Sequence, residues 1–440
     1  MALFIFSAFA GCVEEEGKGT ISLLYNVYCT DLMEAPLPDF EKATGIKVEA
    51  IEVPPATNID EKIALDLAGG VACDVIMVDT YRIPEFAQAG YLLPLDEYVK
   101  EWPDWNSYYD SMKEMVEFEG RCYGIPIDTD VRMLWYSKSV FEKAGIPVPW
   151  KPKTWDDVLE TAKIIKERCP EVDHPLYLPA GSKLGEATSM QGFYMLLLGA
   201  DTPVNDRNRL RDWDEGKWIG KSPAILKTLE FYEDVFVNYA FSLSDIYYRV
   251  DARGDERRAL LNGEIGIDFG GSWEFREIWK AAGYTDEDMP SYEEKTAQIG
   301  WAPVPGCGDP GAPEIACVSG GTVLAINAKA KDLDKCWELV KAIFTKENYE
   351  FWVTETGKVS TRKDVAESSA YQKDRFIAHA TTLLEHTTMR DTYPGYSIVS
   401  SFVQQATEDI LDGKSPEAVM ENFYNNLVEE FGKENVKTIS

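Results

Sequence analysis

The sequence predicts an α/β protein of two domains, and three observations carry that reading. The stretch from Tyr123 to Ile165, YGIPIDTDVRMLWYSKSVFEKAGIPVPWKPKTWDDVLETAKII, reads as a strand, a short helix, a proline-rich loop and a second helix. The run CDVIMV, Cys73 to Val78, is apolar almost throughout, as a strand buried on both faces of a parallel sheet must be. A chain of 440 residues also exceeds what one ordinary core organises, which makes two domains the default.

Within the first stretch, period-2 alternation from Tyr123 to Tyr136 puts Asp128, Asp130 and Arg132 on one face and Val131, Met133 and Trp135 on the other. Ser139 can cap a brief helix over Val140, Phe141 and Ala144, which Gly145 ends in a left-handed stop. Pro147, Pro149 and Pro152 forbid regular structure in the loop. Thr154 and Asp157 form a capping box for a helix whose buried stripe is Val158, Ala162 and Ile165.

The same residues carry a resemblance. LWYSKSVFEKAGIPVPWKPKTWDDVLETAK is similar to the segment L-x-Y-N-K-x-x-F-x-K-A-G-x-x-x-P-K-T-W-x-E of the extracellular solute-binding proteins of ABC importers, nearest to the maltose/trehalose-type sugar binders. Ser137 stands where that family usually has Asn. The resemblance implies a two-lobed periplasmic-binding-protein fold (type II), with discontinuous lobes joined by three crossovers. On this chain the lobes would be 20–129 with 322–366, and 130–321 with 367–440, after a leader and tether over 1–19. It further implies a monomer that captures a sugar, a di- or oligosaccharide, and delivers it to membrane permease subunits by hinge closure. No cofactor, metal or catalysis is expected. A different polar solute, a polyamine or a phosphodiester, is the alternative within the family, and a secreted carbohydrate-active enzyme the alternative outside it.

Composition narrows the partners. With 75 Asp and Glu against 44 Lys and Arg, the net charge is −31, and nothing basic is clustered to neutralise phosphates or an anionic membrane. The first twelve residues, MALFIFSAFAGC, are too short to span a bilayer and fit the apolar region of a signal peptide. Phe9-Ala10-Gly11-Cys12 resembles a lipoprotein box, although the basic residues that usually precede it are missing. Lipidation of Cys12 would hold the protein at the outer face of the cytoplasmic membrane, with VEEEGKG as the tether. A buried N-terminal strand is the other reading. No C-x-x-C pair or histidine cluster suggests zinc; Cys307 and Cys317, bracketing GCGDPGAPEIAC, are the best candidates for a disulfide.

In chain order, Thr20 to Val27 is an apolar strand. FEKATG (40–45) and IKVEAIEV match the family's first helix end and second strand, although Pro36 and Pro38 interrupt the helix. Asn58 can cap a helix bearing Ile59, Ile63 and Leu67. CDVIMV delivers Asp79, Thr80, Tyr81 and Arg82 to its C-terminal end, where open α/β sheets bind ligands. A bulky helix opens at Thr188, Ser189, Met190 and Gln191, and the charged run 205–218 reads as a surface loop. LLNGEIGIDFGGSW resembles the family's LxxGxxAMxxxGSW, which presents a Trp, here Trp273, at the pocket rim; a core Trp is the other reading. SGGTVLAIN is the expected second crossover, with Thr322 where many relatives carry a sugar-stacking Trp. Leu333 to Phe344 is an amphipathic helix, GKVSTRKDV resembles the third crossover, and Ser415-Pro416 starts the last helix.

The candidate site therefore draws on both lobes: Tyr81 and Arg82, Asp130, Met190 and Gln191, and above all Trp273. Asn26, Asp79, Asp128, Gly321, Arg362 and Tyr396 follow from order along the family pattern alone. Signals of catalysis are weak. Gly306 to Gly311 satisfies G-x-G-x-x-G but contains Pro310 and no helix follows. Asp128 and Asp130 could flank a glycosidic bond, yet nothing else nearby reads as a hydrolase.

Overall fold

The computed structural model of the chain describes residues 19–54, 59–200 and 209–439. Cys12 with its leader, the cap expected of Asn58 and the start of the 205–218 run lie outside the described residues. Two mixed sheets organise the fold. The first runs in the order Lys47–Val53, Thr20–Asn26, Val75–Asp79, Thr322–Ile326, Ile125–Pro126; its first three strands are parallel, and Thr322–Ile326 is antiparallel to both neighbours. The second runs Ile299–Ala302, Arg132–Ser137, Ile265–Gly271, His174–Tyr177. Each sheet is packed with helices, giving two lobes whose buried apolar residues form one continuous cluster.

The chain crosses between the lobes where local chemistry lets the backbone leave a sheet. Tyr123 to Tyr136 is two strands and not one: Ile125–Pro126 belongs to the first sheet and Arg132–Ser137 to the second, with residues 127–131 as the first crossing. The return crossing is Gly320-Gly321. Gly321 adopts φ +153°, and a Cβ there would lie 2.2 Å from the Asp128 carbonyl oxygen, so only glycine fits. A bridge between Thr129 and Val359 brings a third segment alongside. From there the chain runs to Phe376, whose ring packs 5.5 Å from Trp135 in the second lobe.

Several sequence expectations take a different local form. Ser137, not Ser139, occupies the N-cap of Lys138–Ala144, and its hydroxyl bonds to that of Ser139 (3.1 Å) instead of to a helix amide. Pro36 and Pro38 split the first helix into Thr30–Glu34 and Leu37–Thr44, with the prolines at first-turn positions that need no amide. The run after Arg209 is not a plain surface loop: Arg211–Asp212 pairs with Lys217–Lys221, and Arg211 is buried with its guanidinium 3.4 Å from the Tyr393 ring centroid. The capping box of Thr154 and Asp157 forms with both hydrogen bonds. No disulfide joins Cys307 and Cys317. The Cys307 thiol meets the Ala200 carbonyl (3.3 Å) at the end of the helix Tyr194–Gly199, whereas Cys317 Sγ accepts the Arg132 amide (3.1 Å) at the start of a strand, so the two thiols are held by different elements. Non-reducing peptide mapping should recover the two cysteines on unlinked peptides.

Candidate functional site

The two crossings meet at the carboxyl ends of the strands. Thr322 pairs with Asp79 and Gly271 with Arg132, which brings the ends of both sheets to one cleft. The cleft encloses about 290 Å³. The first lobe contributes Tyr28, Asp79, Asp128, Thr322 and Lys358, the second contributes Asp130, Arg132, Glu186, Met190, Gln191, Ser272, Trp273 and Arg390, and Gly321 lies at the crossing between them.

Trp273 is fixed by three neighbours. It follows the strand Ile265–Gly271 at the N-cap position of Glu274–Ala281. Its indole Nε1 donates to Glu274 Oε1 (2.7 Å), and the fully buried Glu274 is held by Arg253 (2.7 Å) and Arg257 (2.7 and 3.1 Å). The Arg132 guanidinium lies 4.8 Å from the indole centroid, a cation–π distance. The ring passes so close to the strand that a Cβ on Gly271 would sit 2.1 Å from it. Gly271→Ala should therefore displace the indole and destabilise the protein by about 1–3 kcal/mol, as overpacking does; tryptophan emission and denaturant unfolding would report both.

Tyr28 is the aromatic counterpart on the first lobe. Asn26 caps its turn by accepting the Tyr28 amide (3.3 Å), and the Tyr28 hydroxyl meets Thr322 Oγ1 (2.9 Å). Lys358 Nζ lies 4.4 Å from the Tyr28 ring centroid. Each aromatic ring thus has a cation near it.

Charges in the cleft are dense, with four carboxylates, Asp79, Asp128, Asp130 and Glu186, against three cations, Arg132, Lys358 and Arg390. Asp128 Oδ1 accepts from the Thr322 amide (3.0 Å) and hydroxyl (2.7 Å), and its other oxygen faces Lys358 (3.6 Å). Asp130 pairs with Arg132 and accepts the Gly320 amide (3.3 Å). Arg390 reaches across the lobes, donating to Asp79 and Thr80 (3.2 Å) on one side and to Glu186 (2.7 Å) on the other. Burial, and then the Arg390 charge, draws Arg132 down to about 9. Burial lifts Asp79 to about 6 against the opposing pull of Arg390. Every cation of the cleft has a carboxylate partner, so the site offers hydrogen-bond donors and acceptors with little unmatched charge.

Of the residues expected from sequence, Trp273, Asp130, Met190, Gln191, Asp79, Asp128 and Gly321 line this cavity. Tyr81, Arg82 and Tyr396 do not. Tyr81 donates to Asp60 (3.0 Å) and lies under Arg390; Arg82 donates to Glu85 (2.9 Å) and to Ser397 (3.0 Å); Tyr396 donates to Glu186 (2.7 Å). These three form an inter-lobe layer behind the charged groups, with the rings of Tyr81 and Tyr396 5.8 Å apart. Arg362 is buried in the first lobe, where it binds Asp364 in a fork (3.0 and 2.8 Å) and caps the Phe344 carbonyl (2.9 Å), a structural role. Asn26 acts through Tyr28. Sequence reasoning missed Tyr28, Glu186, Lys358 and Arg390. Arg132 shared a strand face with the two aspartates, which was a usable signal; Arg390 sits in TTMRDTYPG, which has none.

The sequence profile of the bacterial extracellular solute-binding protein family matches residues 30–350. The maltodextrin-binding protein MdxE of Bacillus subtilis (strain 168) is 22% identical over 450 residues, covering 99% of this chain and 96% of its own. Among solved structures, an ABC transporter solute-binding protein of Thermotoga lettingae TMO bound with alpha-D-tagatose superimposes with a TM-score of 0.76 at 26% identity, covering 93% of this chain and 99% of its own. Maltose-bound MalE3 of T. maritima shares the fold with a TM-score of 0.74 at 22% identity, covering 94% and 100%.

Proposed function

The chain belongs to the bacterial extracellular solute-binding protein family, and we propose that it captures a sugar in the cleft between its lobes and presents it to the permease of an ABC importer. It is a binding protein and not an enzyme, as its family is. The observation that carries the sugar reading is the composition of the cleft: two aromatic rings, Tyr28 and Trp273, on opposite lobes, among paired charges. An indole or phenol face covers the apolar side of a pyranose, while carboxylates and guanidiniums exchange hydrogen bonds with its hydroxyls. Every cation there already has a carboxylate partner, so an anionic solute finds no free positive charge, and the hydroxyls of a polyol suit the paired groups. The relatives named above, which bind maltodextrin, tagatose and maltose, agree with that chemistry.

Capture uses the lobes as a hinge. Only the closed arrangement touches the ligand from both sides, so binding energy biases the equilibrium toward the form the permease recognises. The proposed lobes are 20–129 with 322–366 and 130–321 with 367–440, the ligand groups being those that line the cleft. We also propose a monomer anchored by lipid on Cys12 at the outer face of the membrane, on the strength of Phe9-Ala10-Gly11-Cys12; mass spectrometry of the natively expressed protein should find a diacylglyceryl adduct there. A thermal-shift screen of mono-, di- and oligosaccharides tests the main reading. A cognate sugar at a hundredfold excess over its Kd should add about 2.7 kcal/mol of stability and be recovered chemically unchanged. Absence of any shift across the screen, or conversion of the sugar, would overturn it.

A further inference from the structure

We propose that the protein has a second small-molecule site, remote from the cleft, that takes a carboxylate carried on an aromatic or apolar body, with Lys295 as its charge partner. The site is a cavity of about 650 Å³ that shares no lining residue with the cleft. Phe275, Tyr292 and Lys295 line it from the second lobe, and Thr354 and Glu355, on the first-lobe helix Lys346–Thr356, close its other side. It is therefore walled by both lobes.

Lys295 is the unusual residue. It is only 5% exposed, yet among the described residues it makes no ion pair and its ammonium donates no hydrogen bond. Its Nζ lies 4.9 Å from the Phe275 ring centroid. A largely buried lysine with no carboxylate at ion-pair distance holds its charge at a cost that an added anion would offset. Burial first, then the Arg276 charge, draws Lys295 down to about 8, against Asp374 and Asp286. That departure from an ordinary lysine is what an added carboxylate would reverse.

The carboxylates that also line the cavity are committed elsewhere. Glu293 pairs with Arg375 (3.3 Å), which in turn covers Tyr292 at 3.9 Å. Asp374 accepts the amides of Phe376 (2.9 Å) and Ile377 (3.1 Å) at the start of its helix. Glu355 is exposed at the rim. The acids have partners or water, whereas the Lys295 ammonium has no carboxylate at ion-pair distance among the described residues. Although the protein carries a net charge of −31, this cavity is lined by Lys295, Lys373 and Arg375, and a small anion is the species that completes the Lys295 ammonium. The rest of the wall is apolar: Phe275, stacked on Phe376 at 4.2 Å, with Pro290 and Tyr292. Those surfaces call for an aromatic or hydrocarbon body behind the carboxylate.

The test uses benzoate as the probe, with benzyl alcohol as its neutral counterpart, in calorimetric titrations of the full chain. Benzoate should bind, and benzyl alcohol should bind about tenfold or more weakly, a difference of about 1.4 kcal/mol. Lys295→Met, which keeps the bulk and removes the charge, should lose benzoate binding by about tenfold or more. Ala370→Trp, at the partly exposed edge of the cavity, should block it sterically, and serves if the first variant fails to fold. No binding of benzoate at millimolar concentration, equal binding of the alcohol, or benzoate binding unchanged by Ala370→Trp would each overturn the proposal. Because neither variant touches the cleft, sugar binding measured on the same samples should be unaltered, which separates failure here from failure of the sugar reading.

Discussion

Replacing Arg390 with methionine should both destabilise the protein and loosen its lobes. Arg390 is 3% exposed in its side chain and satisfies Asp79 on one lobe and Glu186 on the other. Removing one partner of a fully buried ion pair costs roughly 3–5 kcal/mol, because the remaining charge has no solvent. Here Asp79 and Glu186 keep 29% and 25% of their side-chain surface exposed, and water can reach them. The expected loss is therefore smaller, about 2–3 kcal/mol. The two carboxylates would then face each other across the lobe boundary without a cation between them. Small-angle scattering should show a larger radius of gyration for the variant than for the unliganded wild type.

The pH dependence of the same pair has a definite sign. Asp79 rises from 3.8 to about 6 in the folded protein. Between those values the folded state holds a proton that the unfolded chain has released, so this group makes stability fall as pH rises from about 4 to 6 and leaves it at its lower level above that. Without Arg390, which opposes the shift, the decline should extend to higher pH. Asp79→Asn should abolish this part of the profile. An Arg390→Met variant with wild-type dimensions and a wild-type profile would show that Arg390 does not join the lobes.

What could be read from the sequence, and what could not, divides along the range of the interactions. Local signals named their elements well: Thr154 with Asp157, Gly145, and Ser415 before Pro416 each sit at the helix end expected of them. Cleft residues that belong to a strand end or a glycine turn were also legible, because the local pattern fixes where they point. Asp130 and Trp273 are of this kind, whereas Asp128 and Gly321 were reached only by order along the family pattern. Residues placed by packing between distant segments were not legible. Arg390 joins Asp79 and Glu186 across sequence separations of 311 and 204 residues. Tyr81 and Arg82 stand beside the right strand end, but a 3-10 turn over Thr80–Arg82 carries them behind Arg390 and away from the cavity. Arg362 was drawn to the site by motif order alone, whereas Asp104 and Asp364 hold it in the first lobe. The same limit applies to the cysteines. Spacing made Cys307 and Cys317 look like a pair, but the irregular segment carrying Cys307 and the strand carrying Cys317 send their thiols to Ala200 and Arg132.

Trp273→Ala should cost ligand affinity by ~2 kcal/mol or more, about thirtyfold, on the scale of aromatic hot spots in binding sites. The indole is partly exposed in the cleft, so the ring is available to a sugar, and its edge is anchored by Glu274 (2.7 Å). That anchoring matters to the magnitude. A ring already held in one orientation by Glu274, Arg132 and the absence of a side chain on Gly271 loses little freedom when a ligand stacks on it, and more of the contact energy appears as affinity. Truncation also removes the ring over which Arg132 lies at 4.8 Å. Arg132 keeps Asp130, so its charge remains compensated and the effect on folding should be modest. Glu274→Gln is the informative companion. It retains an acceptor for the indole but weakens the hold of Arg253 and Arg257. It should therefore reduce affinity less than Trp273→Ala while reducing stability more. The decisive measurements are calorimetric affinity for the sugar found by thermal shift and the melting midpoint without ligand. If Trp273→Ala binds normally and melts normally, the aromatic wall of the cleft is Tyr28 alone. If it melts far below the wild type with no ligand present, the indole acts as core, and the affinity loss reports unfolding instead of a lost stacking surface.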